Sequence, residues 1–187
     1  MKLDYIPFVI EYPRVLNAPT SWGANSPILK DIILRFNLKT DIALEFGVWG
    51  GYSSSVLACY FTRVIGVDSF SEFSTGYTLL SVMRLLRDYP NINLVAMGYE
   101  NFIKESPYDR YDIIHIDISD PDHNYKTTYP CGEWSIQHTD CVILHDTVSF
   151  PEMDRVCEDL SDKYDFSYFN YTVENGLGIL VKNKLIT

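Results

Sequence analysis

Short apolar runs alternate with longer segments of helical periodicity along most of the chain. Runs that stay apolar on both faces are typical of buried strands, and apolar residues three or four positions apart are typical of helices. The predicted strands are 41–48, 63–69, 92–98, 111–117 and 141–146, and the predicted helices are 26–38, 53–62, 77–90, 99–106 and 151–164. Strands separated by helices predict a parallel sheet that is covered on both faces.

Two later segments depart from this alternation. In residues 118–140, the helix breakers Pro121, Pro130 and Gly132 predict a loop with one or two helical turns. In residues 165–183, two β-rich runs flank the turn sequence ENG, which predicts an antiparallel hairpin at the C-terminus.

The length and composition are those of one soluble globular domain. The chain has 187 residues, of which 47% are hydrophobic and 21% are charged. A chain of this size buries one full core and is too short for two ordinary domains. We expect residues 1–40 to form an N-terminal helical cap segment and residues 41–182 to form the core of a single domain spanning 1–187.

Charge and the length of apolar runs argue against two classes of partner. The net charge is −10 and the 15 Lys and Arg residues form no basic run, whereas nucleic-acid binding draws its affinity from such residues. No apolar run approaches a membrane span, and the N-terminus lacks the apolar core of a signal peptide. We therefore expect a cytoplasmic protein with neither a nucleic-acid nor a membrane partner. The cysteines lack metal-ligand spacing and fit reduced, mostly buried thiols: Cys59, Cys131, Cys141 and Cys157.

Four acidic residues stand at the carboxyl ends of predicted strands: Glu45, Asp68, Asp117 and Asp146. In an open α/β sheet the carboxyl ends of parallel strands share one edge, and ligands bind there. The sequence therefore predicts one ligand site that these acids line together.

The glycines that follow the first of these acids narrow the class of ligand. Gly47, Gly50 and Gly51 let the backbone turn sharply or approach a ligand closely. A dinucleotide site needs G-x-G-x-x-G beside a pyrophosphate, whereas this chain has G-x-x-G-G after Glu45, whose carboxylate would repel that group. S-adenosylmethionine is cationic at sulfur and carries no phosphate, so acids favour it. Asp68 is placed to accept hydrogen bonds from the ribose hydroxyls.

The sequence LEFGVWGGYSS followed by VIGVDSF resembles the start of class I S-adenosylmethionine-dependent methyltransferases. The nearest branch contains the macrocin O-methyltransferase-like small O-methyltransferases. The resemblance continues through GYENF, IHID, DHNY, LHDT and GLGIL and covers Asp41 to Lys182. It implies an α/β fold with a doubly wound, mostly parallel, seven-stranded Rossmann-like sheet that ends in an antiparallel hairpin. It also implies transfer of a methyl group from S-adenosylmethionine to a hydroxyl of a small molecule such as a sugar or natural product.

The same resemblance implies roles for individual residues around the cofactor. The loop from Glu45 would lie against the methionine part, Asp68 would hold the ribose, and Gly98 would lie near the adenine. Asp117 would lie at the methionine end, close to the methyl acceptor. The implied cofactor-binding residues are Glu45, Gly47, Gly51, Ser53, Asp68, Ser69, Gly98, Tyr99 and Asp117.

Two interpretations of the acceptor end stay open. Asp117 and Asp146 match acids through which several relatives bind a divalent cation, and Mg²⁺ held there would activate and orient an acceptor hydroxyl. Those relatives tend to have two consecutive acids after the fifth strand, where this chain has His145 and then Asp146. The alternative is a metal-free general base, His123 or His145, near Asp117.

Other functions also stay open at the level of the sequence. A nicotinamide-dependent oxidoreductase uses a similar sheet, and a non-catalytic methyltransferase-like binding module would keep the fold without the reaction. The chain has little material for an elaborate lid, so the pocket for a small-molecule acceptor is either open or completed by a second subunit in a homodimer.

Overall fold

The computed structural model describes residues 1–17, 20–70, 76–118 and 124–186. Its strands are β1 (Lys2–Asp4), β2 (Ile42–Phe46), β3 (Arg63–Asp68), β4 (Ile92–Ala96), β5 (Ile113–Ile116), β6 (Cys141–His145), β7 (Phe166–Tyr171) and β8 (Leu177–Lys182). Its α-helices are α1 (Leu29–Arg35), α2 (Tyr52–Ala58), α3 (Leu79–Leu85), α4 (Tyr99–Phe102), α5 (Tyr125–His138) and α6 (Pro151–Lys163). Short 3₁₀ helices span Ser21–Ala24, Ser26–Ile28 and Asn183–Leu185.

All eight strands belong to one sheet in the order β1-β7-β8-β6-β5-β2-β3-β4. Only β8 runs against its neighbours β6 and β7, and every other pair is parallel. The chain proceeds outward from β2 through β3 to β4 and then returns to β5 on the other side of β2. The predicted doubly wound sheet with a C-terminal antiparallel hairpin is therefore confirmed, and its switch point lies between β2 and β5.

The predicted number of seven strands is wrong by one. Lys2–Asp4 forms an eighth strand that pairs in parallel with β7 at the edge of the sheet. All three of its residues are exposed. A short exposed edge strand carries no apolar run, and this is why the hydrophobic pattern does not reveal it.

The two faces of the sheet bury separate apolar layers. Leu44 and Phe46 of β2 belong to the layer under α4, α5 and α6. Ala43, which precedes Leu44 in β2, belongs to the layer under α1 and α2. Because side chains alternate along a strand, Glu45 points into this second layer. That layer also includes Trp22, from the 3₁₀ helix that precedes α1.

The prediction of a loop with one or two helical turns over 118–140 is wrong for its second half. Helix α5 has 14 residues and contains Pro130 and Gly132. Pro130 lies on the exposed face, where water can bond the carbonyl that its missing N–H leaves unpaired. Gly132 lies against α6, and a Cβ there would stand 2.7 Å from Leu160 Cδ1. Packing between these two helices stabilises α5 against its weak local propensity.

The cysteines are all free among the described residues, and Cys131, Cys141 and Cys157 are buried while Cys59 is exposed. Among the described residues, no helix combines the length and the apolar character that crossing a membrane requires.

Candidate functional site

A row of residues lies along one edge of the sheet, at the carboxyl ends of four neighbouring strands. Asp68 lies at the end of β3 and Gly47 at the end of β2. Asp117 lies at the end of β5, and the pair His145 and Asp146 lies at the end of β6. Neighbouring strands lie about 4.8 Å apart, so these residues form a continuous row. The structure thus brings together three of the four acids for which the sequence predicts a common edge.

Gly47 marks the switch point of the sheet and joins the two halves of this row. Its φ is +87°, and a Cβ on it would lie only 1.9 Å from the backbone oxygen of Asp117. Gly51, with φ +83°, precedes the first residue of α2, and a Cβ on it would lie 2.8 Å from Leu86 Cδ1. Both positions therefore require glycine, and the backbone of the loop between β2 and α2 takes a fixed path along the row.

Asp68 holds this glycine loop in place. One of its carboxylate oxygens accepts hydrogen bonds from the backbone N–H groups of Val48 at 2.9 Å and Trp49 at 3.0 Å. The other accepts from the N–H of Phe70 at 2.7 Å. Each oxygen has two lone pairs, so the oxygen that bonds Phe70 can still accept one ribose hydroxyl. The ribose role of Asp68 stays a prediction, as does that of the adjacent, exposed Ser69.

The remaining residues of the predicted cofactor set lie in the same region but are buried to different degrees. Ser53 is buried in the first turn of α2. Gly98 is the residue before α4 and is half-buried. Tyr99 is buried, with its ring against Phe46 and its hydroxyl donating to the backbone oxygen of Thr127 at 2.9 Å. Contacts of these residues with a cofactor stay predictions.

Glu45 does not line the edge, and the structure corrects that placement. Its side chain is fully buried in the layer under α1 and α2. One carboxylate oxygen accepts the hydroxyl of Ser54 in α2, and the other lies 2.9 Å from His115 Nδ1. On the far side of the imidazole, Trp22 Nε1 donates to His115 Nε2 at 3.1 Å. Sequence reasoning missed this connection because the three segments that form it are far apart along the chain.

Three polar side chains converge at the ends of β5 and β6. His145 Nδ1 lies 3.2 Å from Asp117 Oδ2 and 3.2 Å from Asp146 Oδ1. His145 and Asp146 are buried, whereas Asp117 is about a quarter exposed, at 27%. Burial lowers the pKa of His145, but the neighbouring carboxylate of Asp117 and the charges of Asp146 and Glu174 more than offset this, so that the pKa is raised. A raised pKa disfavours the neutral imidazole that a general base needs.

Asp146 has a strained backbone that the C-terminal hairpin stabilises. Its φ is +67°, which is uncommon for a residue with a side chain. Its N–H donates to the backbone oxygen of Gly176, and Asn175 Nδ2 donates to Asp146 Oδ1 at 2.9 Å. Such strain persists only where surrounding contacts over-determine it, and it is concentrated at functional sites. Asn175 and Gly176 belong to the ENG turn, which the sequence marks as a turn without indicating that it supports a site.

The donor set at this cluster fits a divalent cation. One ligand atom from each of Asp117, His145 and Asp146 lies within 4.8 Å of the others. Neither ring nitrogen of His145 makes a well-directed hydrogen bond to any described residue, although both are buried. A buried imidazole without hydrogen bonds destabilises the fold. A bound metal ion would give one of its ring nitrogens a partner. Two carboxylates and one imidazole suit a hard or borderline divalent metal. The alternative base His123 lies outside the described residues.

Comparison with known proteins adds the fold to these observations. Neither a protein-family model nor a curated protein sequence matches the chain. Among solved structures, the O-methyltransferase TomG from Streptomyces achromogenes, involved in tomaymycin synthesis and solved with S-adenosylmethionine, matches with a TM-score of 0.64 and 17% identity, over 89% of this chain and 82% of that chain. An O-methyltransferase from Bacillus cereus in complex with S-adenosylhomocysteine matches with a TM-score of 0.64 and 17% identity, over 91% of this chain and 84% of that chain.

Similar structures also include proteins that carry another substrate class in their description. A candidate rRNA methylase from Clostridium thermocellum matches with a TM-score of 0.63 and 16% identity, over 89% of this chain and all of that chain, at 100%. Identities this low establish the architecture and leave the substrate to the site itself. The chain has the Rossmann-like fold of the class I S-adenosylmethionine-dependent methyltransferases, the fold that its sequence motifs predict.

Proposed function

We propose that this protein transfers a methyl group from S-adenosylmethionine to a hydroxyl of a small molecule, with a divalent cation held by Asp117, His145 and Asp146. The observation that carries the proposal is the contact between the two halves of the row. Gly47 of the glycine loop is in direct backbone contact with Asp117, which is also part of the cation cluster. A cofactor in the loop and an acceptor at the cluster would therefore be adjacent, as methyl transfer requires.

The cofactor end is supported by charge and by the shape of the backbone. The row presents carboxylates and no lysine or arginine among its described members, which suits a cationic ligand without phosphate. The glycines at 47 and 51 keep side chains away from the loop, so that a ligand can lie against its backbone. In this position S-adenosylmethionine supplies the electrophilic methyl group. Asp68 would orient it through the ribose while holding Val48 and Trp49 in place.

The acceptor end is supported by His145, whose two buried ring nitrogens make no well-directed hydrogen bond among the described residues. A divalent cation bound there lowers the pKa of an acceptor hydroxyl and fixes its orientation. Asn175 donates to the carboxylate of Asp146, and the backbone N–H of Asp117 donates to Phe46, so both residues are positioned before any ligand arrives. The enzyme's remaining task is to keep the acceptor oxygen in line with the methyl group, and a preorganised site does so at little entropic cost. This arrangement favours the metal interpretation over His145 as the base.

Calorimetric titration tests the proposal directly. S-adenosylmethionine, S-adenosylhomocysteine and NAD⁺ are each titrated with and without Mg²⁺. We expect the two adenosyl ligands to bind and NAD⁺ not to bind. Replacing Asp68 with Ala should weaken binding about tenfold or more, because it removes charge-assisted hydrogen bonds. Asp88→Asn, on an exposed carboxyl, is the control for a lost negative charge and should leave binding unchanged.

Turnover is then tested with a panel of sugars, phenols and other hydroxylated acceptors, by following formation of S-adenosylhomocysteine. Asp117→Asn should abolish turnover and the effect of Mg²⁺ together. Binding of NAD⁺ without binding of either adenosyl ligand would reassign the protein to the oxidoreductases. Binding of the adenosyl ligands with turnover that persists after chelation of divalent cations would remove the metal from the proposal.

A further inference from the structure

The buried contact between Glu45 and its neighbours forms a continuous hydrogen-bonded chain through the sheet. It runs from Trp22 through His115 and Glu45 to Ser54. Three of these side chains have no exposed surface, and Trp22 is 2% exposed. These hydrogen bonds therefore link the segment before α1 to β5, to β2 and to α2, the helix that follows the glycine loop.

The indole fixes the direction of both hydrogen bonds of His115. An indole N–H can only donate, so His115 Nε2 accepts and carries no hydrogen. In a neutral imidazole the hydrogen then sits on Nδ1 and is donated to Glu45. Ser54 donates to the other oxygen of Glu45. Glu45 thus accepts at both oxygens, which is the bonding pattern of a carboxylate anion.

This anion has hydrogen-bond donors but no cation beside it. Among the ion pairs of the described residues, His115 is the only partner of Glu45. A buried carboxylate without a counter-charge is costly, even with hydrogen bonds. A positive charge on a ligand in the neighbouring loop, which begins two residues later at Gly47, would reduce this cost. A neutral ligand would not.

We propose that Trp22 and His115 are positioning residues that keep Glu45 as a buried anion beneath the glycine loop, so that the loop prefers a sulfonium ligand to the neutral thioether formed from it. The inference rests on the proposed function, since it concerns the cofactor of that same site. Glu45 acts on the cofactor through its charge and does not contact it. In the cell the preference would favour release of the demethylated product after each turnover.

The test compares the dissociation constants of S-adenosylmethionine and S-adenosylhomocysteine on the same variants. The two ligands differ at sulfur by one methyl group and one positive charge. The dissociation constant of S-adenosylhomocysteine divided by that of S-adenosylmethionine therefore reports the charge effect, and this quotient is the ratio used below. Glu45→Gln keeps the size of the side chain and removes its charge. It should weaken S-adenosylmethionine roughly tenfold more than S-adenosylhomocysteine, the scale of one charge pair about 10 Å apart at an effective dielectric of about 20.

Trp22→Phe tests the positioning role separately. It removes the indole N–H, so His115 becomes free to place its hydrogen on Nε2, which would leave Glu45 with only the donor Ser54. We expect the ratio to fall about twofold, because one of two tautomers then fails to support the anion. Trp134→Phe is the matched control, since Trp134 packs on Phe46 and His138 in the opposite layer, and it should leave the ratio unchanged.

The outcomes separate the two proposals. An equal loss for both ligands in Glu45→Gln would reduce Glu45 to a structural role and overturn the inference. A lower ratio in Glu45→Gln but not in Trp22→Phe would overturn the role of Trp22 and His115. Should Glu45→Gln fail to fold, Trp22→Phe against Trp134→Phe decides the question alone. Wild-type protein that binds neither ligand would instead contradict the proposed function.

Discussion

Two histidines on neighbouring strands, His115 in β5 and His145 in β6, both lie beside carboxylates, and only one of them is satisfied. His115 has a hydrogen-bond partner at each ring nitrogen, Trp22 on one side and Glu45 on the other. His145 lies between Asp117 and Asp146 and has a well-directed hydrogen bond at neither nitrogen. The first histidine is therefore complete when the protein folds, whereas the second is the one that we propose binds a metal ion.

The largest expected effect comes from exchanging each histidine for leucine. His115→Leu leaves one carboxylate oxygen of Glu45 and the indole N–H of Trp22 buried without their partner, so we expect a loss of about 3–4 kcal/mol in the free energy of unfolding. His145→Leu removes two nitrogens without a well-directed hydrogen bond and only the 3.2 Å contacts with Asp117 and Asp146, so we expect a smaller loss of about 1–2 kcal/mol. Urea unfolding of both variants measures the contrast. Equal losses would show that the two histidines do not differ in this way.

The second largest effect tests the backbone contact between Gly47 of the glycine loop and Asp117 of the proposed metal site. Gly47→Ala would place a methyl group against the backbone of Asp117 in a left-handed conformation. We expect a loss of about 3 kcal/mol in the free energy of unfolding, from overpacking and backbone strain together. Gly23→Ala is the control, because no atom lies within 4 Å of a Cβ added there. A variant at position 47 as stable as that control would disprove the close contact.

A smaller effect concerns Asn175, the residue that supports Asp146 in the proposed metal site. Asn175→Ala removes the hydrogen bond to Asp146, and the loss of such a supporting contact weakens metal binding by about tenfold or more. Titration with Mn²⁺ measures it. Asn183→Ala, which loses a hydrogen bond to the exposed Asp165 instead, should leave metal affinity unchanged. An equal affinity in both variants would remove Asn175 from the site.

The smallest expected effect separates metal binding by Asp146 from the contribution of Asp146 to stability. Asp146→Asn keeps a residue type that tolerates positive φ and removes one negative charge from the cluster. We expect the free energy of unfolding in the absence of metal to change by about 0.5 kcal/mol or less, while stabilisation of the protein by added Mn²⁺ disappears. Thermal unfolding with and without the metal distinguishes the two quantities. A large loss of stability without metal would make Asp146 a structural residue.

The sequence predicts the sheet and one edge of it well, for physical reasons. Buried parallel strands are continuous apolar runs, so β2, β3, β5 and β6 stand out, and the acids at the ends of β3, β5 and β6 share an edge. The C-terminal hairpin follows from its turn residues. Strand β1 and helix α5 are missed because one is too short and exposed, and the other is stabilised by packing against α6 in spite of Pro130.

The contacts that distinguish the two histidines were beyond prediction because they join distant parts of the chain. Trp22 and His115 are 93 positions apart, and Asp146 and Asn175 are 29 apart. Alternation along β2 does indicate that Glu45 faces away from Phe46, so its burial had a signal in the sequence. No local pattern indicates that His145 lacks partners, since that depends on the placement of β5 and the hairpin around it.

Anomalous diffraction from crystals grown with Mn²⁺ and S-adenosylhomocysteine is the most direct test for a metal site beside the nucleoside site. We predict one manganese peak about 2.1 Å from a carboxylate oxygen of Asp117 and of Asp146, the usual distance for a hard divalent cation, with His145 turned toward it and the nucleoside along the glycine loop. A bound nucleoside with manganese elsewhere, or with His145 hydrogen-bonded to protein instead, would contradict the account.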